Sequence, residues 1–227
     1  MRWDDVWFAH WAVEPAVVAS ALPASLSVDT YDGEAYLGVV GFRMEEIRPR
    51  GLPVGLSFPE LNLRTYADGP NGPGVYFFSL DADDRIGVPV ARRLFRLPYY
   101  RAAMSVSSHG GETRFRSRRT HAGVAPASFE ATYRVSGTPT PADPGSLGAF
   151  LTERYRFYVT GDDGRTYAGA IDHPPWRLGE LSLDIVTNDL FSANGFDRPA
   201  GDPHLLYSPG SDEIGRASCR ERVFPVV

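Results

Sequence analysis

The sequence predicts one mainly β domain, a closed or flattened β-barrel with a few short helices packed outside it. Three observations predict this class. Short aliphatic and aromatic segments recur along the chain, and 23 glycines and 19 prolines separate them into turns. There is no internal repeat and no alternation of strands with long helices, which argues against a parallel α/β sheet. Closure is favoured because it removes exposed strand edges.

Residue patterns place the elements in order along the chain. Proline fits the first turn of a helix, so Pro15 opens a short helix that ends near Leu22. Two further helices are expected, one after Pro89 and one capped by Ser146. Strands are predicted where β-branched and aromatic residues run between turn residues. These ranges are 34–44, 60–66, 75–80, 99–106, 113–120, 129–135, 155–160, 165–171, 181–187 and 205–208.

Three connections are predicted between these strands. The run 68–74 contains three glycines and two prolines and reads as a turn, and Gly161–Gly164 closes a hairpin. The proline-rich segment 138–144 is expected to be a connector. In the strand 113–120, Arg114, Arg116 and Arg118 share one face. That arginine stripe is interpreted as a solvated face of an antiparallel pair, with an acidic partner as the alternative.

Composition limits the classes of function. All 23 basic residues are arginine, so no side-chain amine is present to form a Schiff base with a carbonyl substrate. The net charge of −5 gives no reason to expect nucleic-acid binding. No apolar run is long enough to span a bilayer, and the acidic start lacks the apolar region of a signal peptide. The sequence therefore predicts a cytoplasmic protein, with no membrane partner, and leaves a homo-oligomer open.

Metal and cofactor sites are not predicted. The single cysteine, Cys219, excludes an internal disulfide and a cysteine zinc site. The five histidines have no ligand spacing, and no nucleotide-binding fingerprint is present. His10 is interpreted as a packed core residue, and His173 lies before two prolines, where a loop site could form.

The end of the chain departs from the strand pattern. Residues 213–223 bring dense charge, the cysteine and no periodicity. We expect a single domain over 1–211 and a foreign or disordered tail over 212–227, either an assembly artefact or a natural extension.

Seven short motifs together resemble the YqjF-like bacterial proteins of unknown function over residues 1–210. They are Phe8-Ala9-His10-Trp11, Thr30-Tyr31-Asp32-Gly33, the run 58–66, the run 74–81, Leu97-Pro98-Tyr99-Tyr100, Thr152-Glu153-Arg154-Tyr155 and Tyr207-Ser208-Pro209-Gly210. That family is similar in fold to the acetoacetate decarboxylase-like superfamily. The resemblance implies a flattened β-barrel with a central cavity.

The resemblance also suggests where a site would lie. The decarboxylases carry their Schiff-base lysine in a segment similar to residues 91–100, where Tyr99 and Tyr100 stand in place of a lysine pair. Glu60 corresponds to the pocket glutamate of those enzymes. Because side chains alternate along a strand, only one of the two tyrosines can face a cavity.

Alternation also groups Glu60, Asn62 and Arg64 on one strand face, with leucines at 61 and 63 on the other. We expect the polar face to line the barrel cavity and to bind a small organic anion through Arg64. The rival orientation turns the leucines inward and the polar groups to water. A structural ion-pair network is the alternative role for these groups.

Three functions stay open from the sequence. The leading hypothesis is binding of a small organic anion, with Glu60, Asn62, Arg64, Tyr99 and Tyr100 as candidate contacts. The second is a lysine-independent enzyme that uses Glu60 as acid or base, Arg64 as anion anchor and a tyrosine as oxyanion donor. The third is a structural or interaction protein whose barrel is filled by its own side chains.

Overall fold

The computed structural model describes residues 2–47, 56–84, 87–89, 92, 97–161, 163–211 and 224–225, and strands dominate them. The strands are β1 (Arg2–Val13), β2 (Ser27–Val28), β3 (Ala35–Ile47), β4 (Leu56–Gly69), β5 (Gly72–Ala82), β6 (Tyr99–His109), β7 (Glu112–Arg119), β8 (Ser128–Pro141), β9 (Arg156–Thr160), β10 (Thr166–Ala170), β11 (Arg177–Asn188), β12 (His204–Ser211) and β13 (Phe224–Pro225). The named helices are α1 (Pro15–Ala19), α2 (Leu147–Thr152) and α3 (Leu190–Ala193). The predicted mainly β fold with short helices is confirmed.

The strands form one sheet that forks at β5. Along one edge β5 pairs with β4. Along the other edge its first half pairs with β9, at Val75–Tyr76, and its second half with β6, at Leu80–Ala82. The branch through β6 runs on through β7, β8, β11, β12, β1 and β3 to β4, and the β4–β5 pairing closes it into a ring.

An apolar core fills the interior of the ring. Trp7 on β1 stacks on Phe129 of β8 at 5.3 Å and meets Phe115 of β7 edge-on at 5.5 Å. Neither β7 nor β8 neighbours β1 in the ring, so these contacts cross its interior. Leu61 and Leu63 of β4 are fully buried in the same core. Hydrophobic side chains therefore fill the interior of the ring.

A second layer covers the opposite face of the central strands β1, β3, β4 and β5. Phe77 of β5 contacts Phe157 of β9 at 6.2 Å, and Phe8 of β1 meets Trp176 edge-on at 5.9 Å. Helix α2 packs on the same face, where Leu151 is fully buried. Burial on both faces explains why these strands carry long apolar runs in place of strict alternation.

Several elements differ from the sequence predictions. Helix α1 ends at Ala19, and β1 was not predicted as a strand. The expected connector over 138–144 is strand as far as Pro141, which pairs with Arg177 of β11. The cap of α2 is confirmed, because the Ala149 amide donates to Ser146 Oγ over 3.2 Å. The predicted helix over 89–96 lies mostly outside the described residues.

The chain end and the arginine stripe were also assigned roles from the sequence. Residues 212–223 lie outside the described residues, while Phe224–Pro225 pairs with β10. The stripe on β7 is exposed, and two of its arginines contact one glutamate on β8. Arg114 Nε donates to Glu130 Oε1 over 2.9 Å, and Arg116 Nε lies 3.3 Å from Oε2 of the same carboxylate. Arg114 and Arg116 therefore share Glu130 as their cross-strand acidic neighbour at the surface.

Candidate functional site

Three polar residues of β4 lie side by side under the second layer of the fold. Glu60, Asn62 and Arg64 are only 2%, 3% and 8% exposed. The expectation that this face lines the interior of the closed ring is wrong, because Leu61 and Leu63 point there. The rival expectation, that the polar groups would then lie in water, also fails, because all three side chains are buried. Tyr99 of β6 contacts Glu60, and the Leu151 carbonyl of α2 contacts Arg64. We call this surface, with Tyr99, His10 and Tyr66, the polar face.

Glu60 is a buried carboxyl held by two neighbours. The Tyr99 hydroxyl donates to its Oε2 over 2.9 Å, and the Asn62 side chain hydrogen-bonds to the same carboxyl. Burial raises the pKa of Glu60 to about 8; the hydrogen bonds from Tyr99 and Asn62 oppose this rise, and the charge of Asp81 adds to it. Glu60 is therefore predominantly protonated and neutral at pH 7.

The two tyrosines at the start of β6 point to opposite faces, as alternation requires. Tyr99 pairs in register with Leu80 of β5 and reaches Glu60. Tyr100 faces the other way, where its ring lies 4.4 Å from the Arg119 guanidinium. Tyr99 thus belongs to the polar face, and the structure does not bring Tyr100 to it.

Arg119 anchors a separate buried ion pair beside Tyr100. Its Nε donates to Asp81 Oδ1 over 2.7 Å and its Nη2 to Asp81 Oδ2 over 3.0 Å, a bidentate pair. Both side chains are at most 2% exposed. This pair lies where β5 joins β6 and satisfies both of its charges internally.

Arg64 has a different environment. Its Nη2 donates to the Leu151 carbonyl over 3.3 Å, and its guanidinium lies 5.5 Å from the Phe8 ring centre and 5.9 Å from that of Tyr66. Its Nε is buried without a hydrogen-bond partner, and among the described residues no carboxylate forms an ion pair with it. By contrast, the nearby Arg154 pairs with Asp29 at 2.6 Å. The ion-pair network considered from the sequence does not form at Arg64 within this part of the chain.

His10 and Tyr66 form a hydrogen-bonded chain next to Arg64. The Tyr66 hydroxyl lies 2.7 Å from the Leu151 carbonyl and 2.7 Å from His10 Nε2. A hydroxyl has one proton and a carbonyl can only accept, so Tyr66 donates to Leu151 and accepts from His10 Nε2–H. Burial lowers the pKa of His10 well below 6.5, and the Arg64 charge lowers it further. His10 is therefore neutral, and its Nδ1 is an acceptor without a partner.

Gly38 allows His10 and Arg64 to lie on adjacent parts of the sheet. It pairs with His10 on one side and with Arg64 on the other. A Cβ at this position would lie 2.5 Å from His10 Cδ2 and 3.5 Å from Arg64 Cγ. A larger residue would push the imidazole away, so this glycine is required by packing.

Sequence reasoning missed the roles of His10, Tyr66 and the Leu151 carbonyl. The alternation that grouped Glu60 with Arg64 also places Tyr66 on the same face, and this signal was available. His173, the loop candidate, stacks on Tyr155 at 4.4 Å, and its ring nitrogens contact the carbonyls of Pro174 and Arg154. Local packing accounts for that histidine.

Two surface grooves of about 330 and 320 Å³ lie away from the polar face. The first is lined by Glu112, Thr132, Tyr133, Arg134, Ser182, Leu183 and Asp184. The second is lined by residues 24–27 and 68–70. None of the polar-face residues lines either groove.

Comparison with known proteins identifies the family. The DUF2071 family, described as an uncharacterized conserved protein, matches residues 1–212. The chain belongs to this family. It is also 40% identical over 215 residues to the uncharacterized protein YqjF of Bacillus subtilis (strain 168), covering 93% of this chain and 88% of that protein. The resemblance to YqjF-like proteins is thus confirmed.

Solved structures show that this DUF2071 chain has an acetoacetate decarboxylase-like fold. The enduracididine biosynthesis enzyme MppR, complexed with pyruvate, aligns with a TM-score of 0.61 at 15% identity, over 98% of this chain and 90% of that one. An acetoacetate decarboxylase-like enzyme from Sphingomonas wittichii RW1 gives 0.56 at 16% identity, over 92% and 88%. Acetoacetate decarboxylase from Legionella pneumophila gives 0.55 at 12% identity, over 92% and 85%. Within the described residues, no helix has the length and apolar character to cross a membrane.

Proposed function

We propose that this protein binds a small organic anion at the polar face, with Arg64 as the anion anchor. The observation that carries the proposal is the guanidinium itself, which is buried, has an unpartnered Nε and forms no ion pair with a described carboxylate. Buried charges are costly unless they are paired. An anionic ligand would supply the missing charge and accept from Nε.

The neutrality of Glu60 strengthens this proposal. An ionised Glu60 would lower the net charge of the polar face, but burial raises the pKa of Glu60 to about 8. At pH 7 the polar face therefore carries a net positive charge. Hydrogen bonds from Tyr99 and Asn62 fix the orientation of the Glu60 carboxyl.

The solved relative MppR supports the proposal by analogy, since it was obtained complexed with pyruvate, a small organic anion. A sequence identity of 15% supports only a shared fold. That this protein binds the same class of anion as MppR is therefore part of the proposal. Imine chemistry is not transferred, because the chain contains no lysine.

A second candidate function is acid–base catalysis without lysine. A general acid works best with a pKa near the operating pH, and Glu60 meets this condition. In this scheme Glu60 donates or accepts the proton, Arg64 holds the substrate anion, and the Tyr99 hydroxyl turns from Glu60 Oε2 to donate to a developing oxyanion. Turnover of a screened β-keto or hydroxy acid that is lost in Glu60→Gln would separate this function from binding alone.

Native mass spectrometry of purified protein tests the anion site directly. We expect the wild-type protein to retain a small acidic ligand, and Arg64→Gln to lose it. Arg118→Gln is the matched control, since that arginine is exposed on β7. Retention of the ligand by Arg64→Gln would refute the site. A wild-type protein that neither retains nor binds any organic anion would favour a structural role, with the fold filled by its own side chains.

A further inference from the structure

We propose that the ligand is a hydroxycarboxylate, a monoanion that carries a hydroxyl group close to its carboxylate. This inference rests on the proposed anion site at Arg64 and specifies its chemistry. It follows from the hydrogen-bonding atoms that the polar face leaves without partners.

The unpartnered atoms are of two kinds. Arg64 Nε is a donor, whereas Asn62 Oδ1 and His10 Nδ1 are acceptors. The role of His10 Nδ1 is fixed, because Nε2 carries the proton that Tyr66 accepts. Asn62 Oδ1 is an amide oxygen and can only accept, and the hydrogen bond of this side chain to the neutral Glu60 carboxyl uses its amide nitrogen. A matching ligand must therefore both accept from the protein and donate to it.

A simple carboxylate or a keto acid satisfies only half of this requirement. Its oxygens can accept from Arg64, but it has no proton to give to Asn62 Oδ1 or His10 Nδ1. A buried acceptor left without a donor weakens binding, and sites built to bond a hydroxyl discriminate against ligands that lack one. A hydroxyl group supplies the missing donor.

The charges on the polar face exclude two other ligand classes. An amino acid carries a donor, but its ammonium cancels its own carboxylate and leaves Arg64 uncompensated. A dicarboxylate brings one charge more than Arg64 can balance, because the neighbouring Arg154 and Arg119 already pair with Asp29 and Asp81. A monoanion with a neutral donor matches both the charge and the hydrogen bonds.

The surrounding residues constrain the spacing of the two functional groups of this ligand. Asn62 and Arg64 are successive same-side residues of β4, about 6.6–7 Å apart, so the hydroxyl and the carboxylate must be close together. Val40 pairs in register with Asn62, and Phe8 pairs with Val40, so an apolar surface lies beside the polar atoms. A 2-hydroxy acid with a short alkyl chain fits this arrangement.

Calorimetric titration with matched anions tests the inference. Propionate, pyruvate and lactate have the same charge and carbon number, and butyrate, 2-oxobutyrate and 2-hydroxybutyrate extend the series by one carbon. We expect each hydroxy acid to bind more tightly than its keto and unsubstituted counterparts, by a factor on the order of ten. Asn62→Leu should reduce this preference, whereas the control Arg118→Gln, at an exposed position on β7, should keep it.

The outcomes separate the two proposals. Equal affinity across each series, lost in Arg64→Gln, would overturn the hydroxyl preference and leave the anion site standing. Tighter binding of pyruvate than lactate would also overturn it. No binding of any of the anions, or binding that survives in Arg64→Gln, would refute the anion site itself and the inference with it. Because the comparison of ligands uses the wild-type protein, it does not depend on the folding of a variant.

Discussion

Glu60→Gln tests whether a buried carboxyl on β4 is neutral at pH 7. Its pKa is about 8 in the folded protein against 4.5 in an exposed chain, so the folded state binds the proton more tightly between these values. The stabilisation is complete below pH 4.5 and is lost as the pH rises through 8. Glutamine keeps the shape and cannot ionise, so the variant should lack this dependence.

His10 determines where the measurement is clean. Burial lowers its pKa well below 6.5, so protonation of the unfolded chain costs stability only as the pH falls under 6.5. Of these two groups, only Glu60 changes the free energy of unfolding between pH 6.5 and 8. Over that interval the wild-type protein should lose about 2 kcal/mol of unfolding free energy, at ~1.36 kcal/mol per pH unit.

Urea unfolding followed by fluorescence of the four tryptophans gives the required free energies. The wild-type protein, Glu60→Gln and the exposed-site control Glu180→Gln would be compared at several pH values from 6.5 to above 8. We expect the wild-type and control curves to fall together while the Glu60→Gln curve stays flat across this window. Parallel curves for wild type and Glu60→Gln would show that Glu60 is already ionised, and the net positive charge assigned to the polar face would be refuted.

Four further outcomes are expected. Tyr99→Phe should move the pH-dependent loss of stability to higher pH, because the hydroxyl bond favours the ionised carboxyl, whereas Tyr100→Phe should leave its midpoint unchanged; equal midpoints in all three proteins would contradict this. Arg119→Gln should cost about 3–5 kcal/mol by stranding a carboxylate, and Arg64→Gln only about 1–2 kcal/mol, as judged by urea unfolding; the reverse order would show that Arg64 has an internal partner. Deletion from Asp212 onward should lower the melting temperature by less than about 4 °C, since the part of this segment that the structure describes is a two-residue strand paired with β10; a larger loss would show that the tail is integral. Borohydride treatment with acetoacetate should leave no adduct on an internal residue, and mass spectrometry that finds one would overturn the exclusion of imine chemistry.

Side-chain alternation predicted much of the local arrangement. It correctly grouped Glu60, Asn62 and Arg64 on one face, and it required Tyr99 and Tyr100 to point in opposite directions. It could not decide which tyrosine reaches Glu60, because that depends on the parallel register of β5 with β6. Such pairings join distant segments, and a local pattern contains no record of them.

The orientation of the polar face depended on the fork at β5. In a single closed barrel a strand face points either into the interior or out to water, and the expectation for Glu60, Asn62 and Arg64 was the interior. The fork adds a covered face outside the ring, where the Leu151 carbonyl and Tyr99 receive the polar groups. Long-range pairing of β9 with β5 creates this face, so local periodicity could not predict it.

Two missed strand segments have local explanations. Residues 6–11 of β1 are buried on both faces, so the alternation that marks a half-exposed strand is absent. In the stretch 138–141, β8 no longer pairs with β7 and continues only along β11. A strand edge tolerates proline, so Pro139 and Pro141 do not end the strand, although the proline-rich segment 138–144 was predicted to be a connector.

A crystal structure of the protein grown with lactate tests the central claim most directly, because it shows what fills the open hydrogen-bonding position of Arg64. The account predicts a carboxylate oxygen of the ligand within hydrogen-bond distance of Arg64 Nε, with the ligand hydroxyl directed at Asn62 Oδ1 or His10 Nδ1. A carboxylate of the protein itself bound to this guanidinium, or lactate held only at sites away from β4, would contradict it.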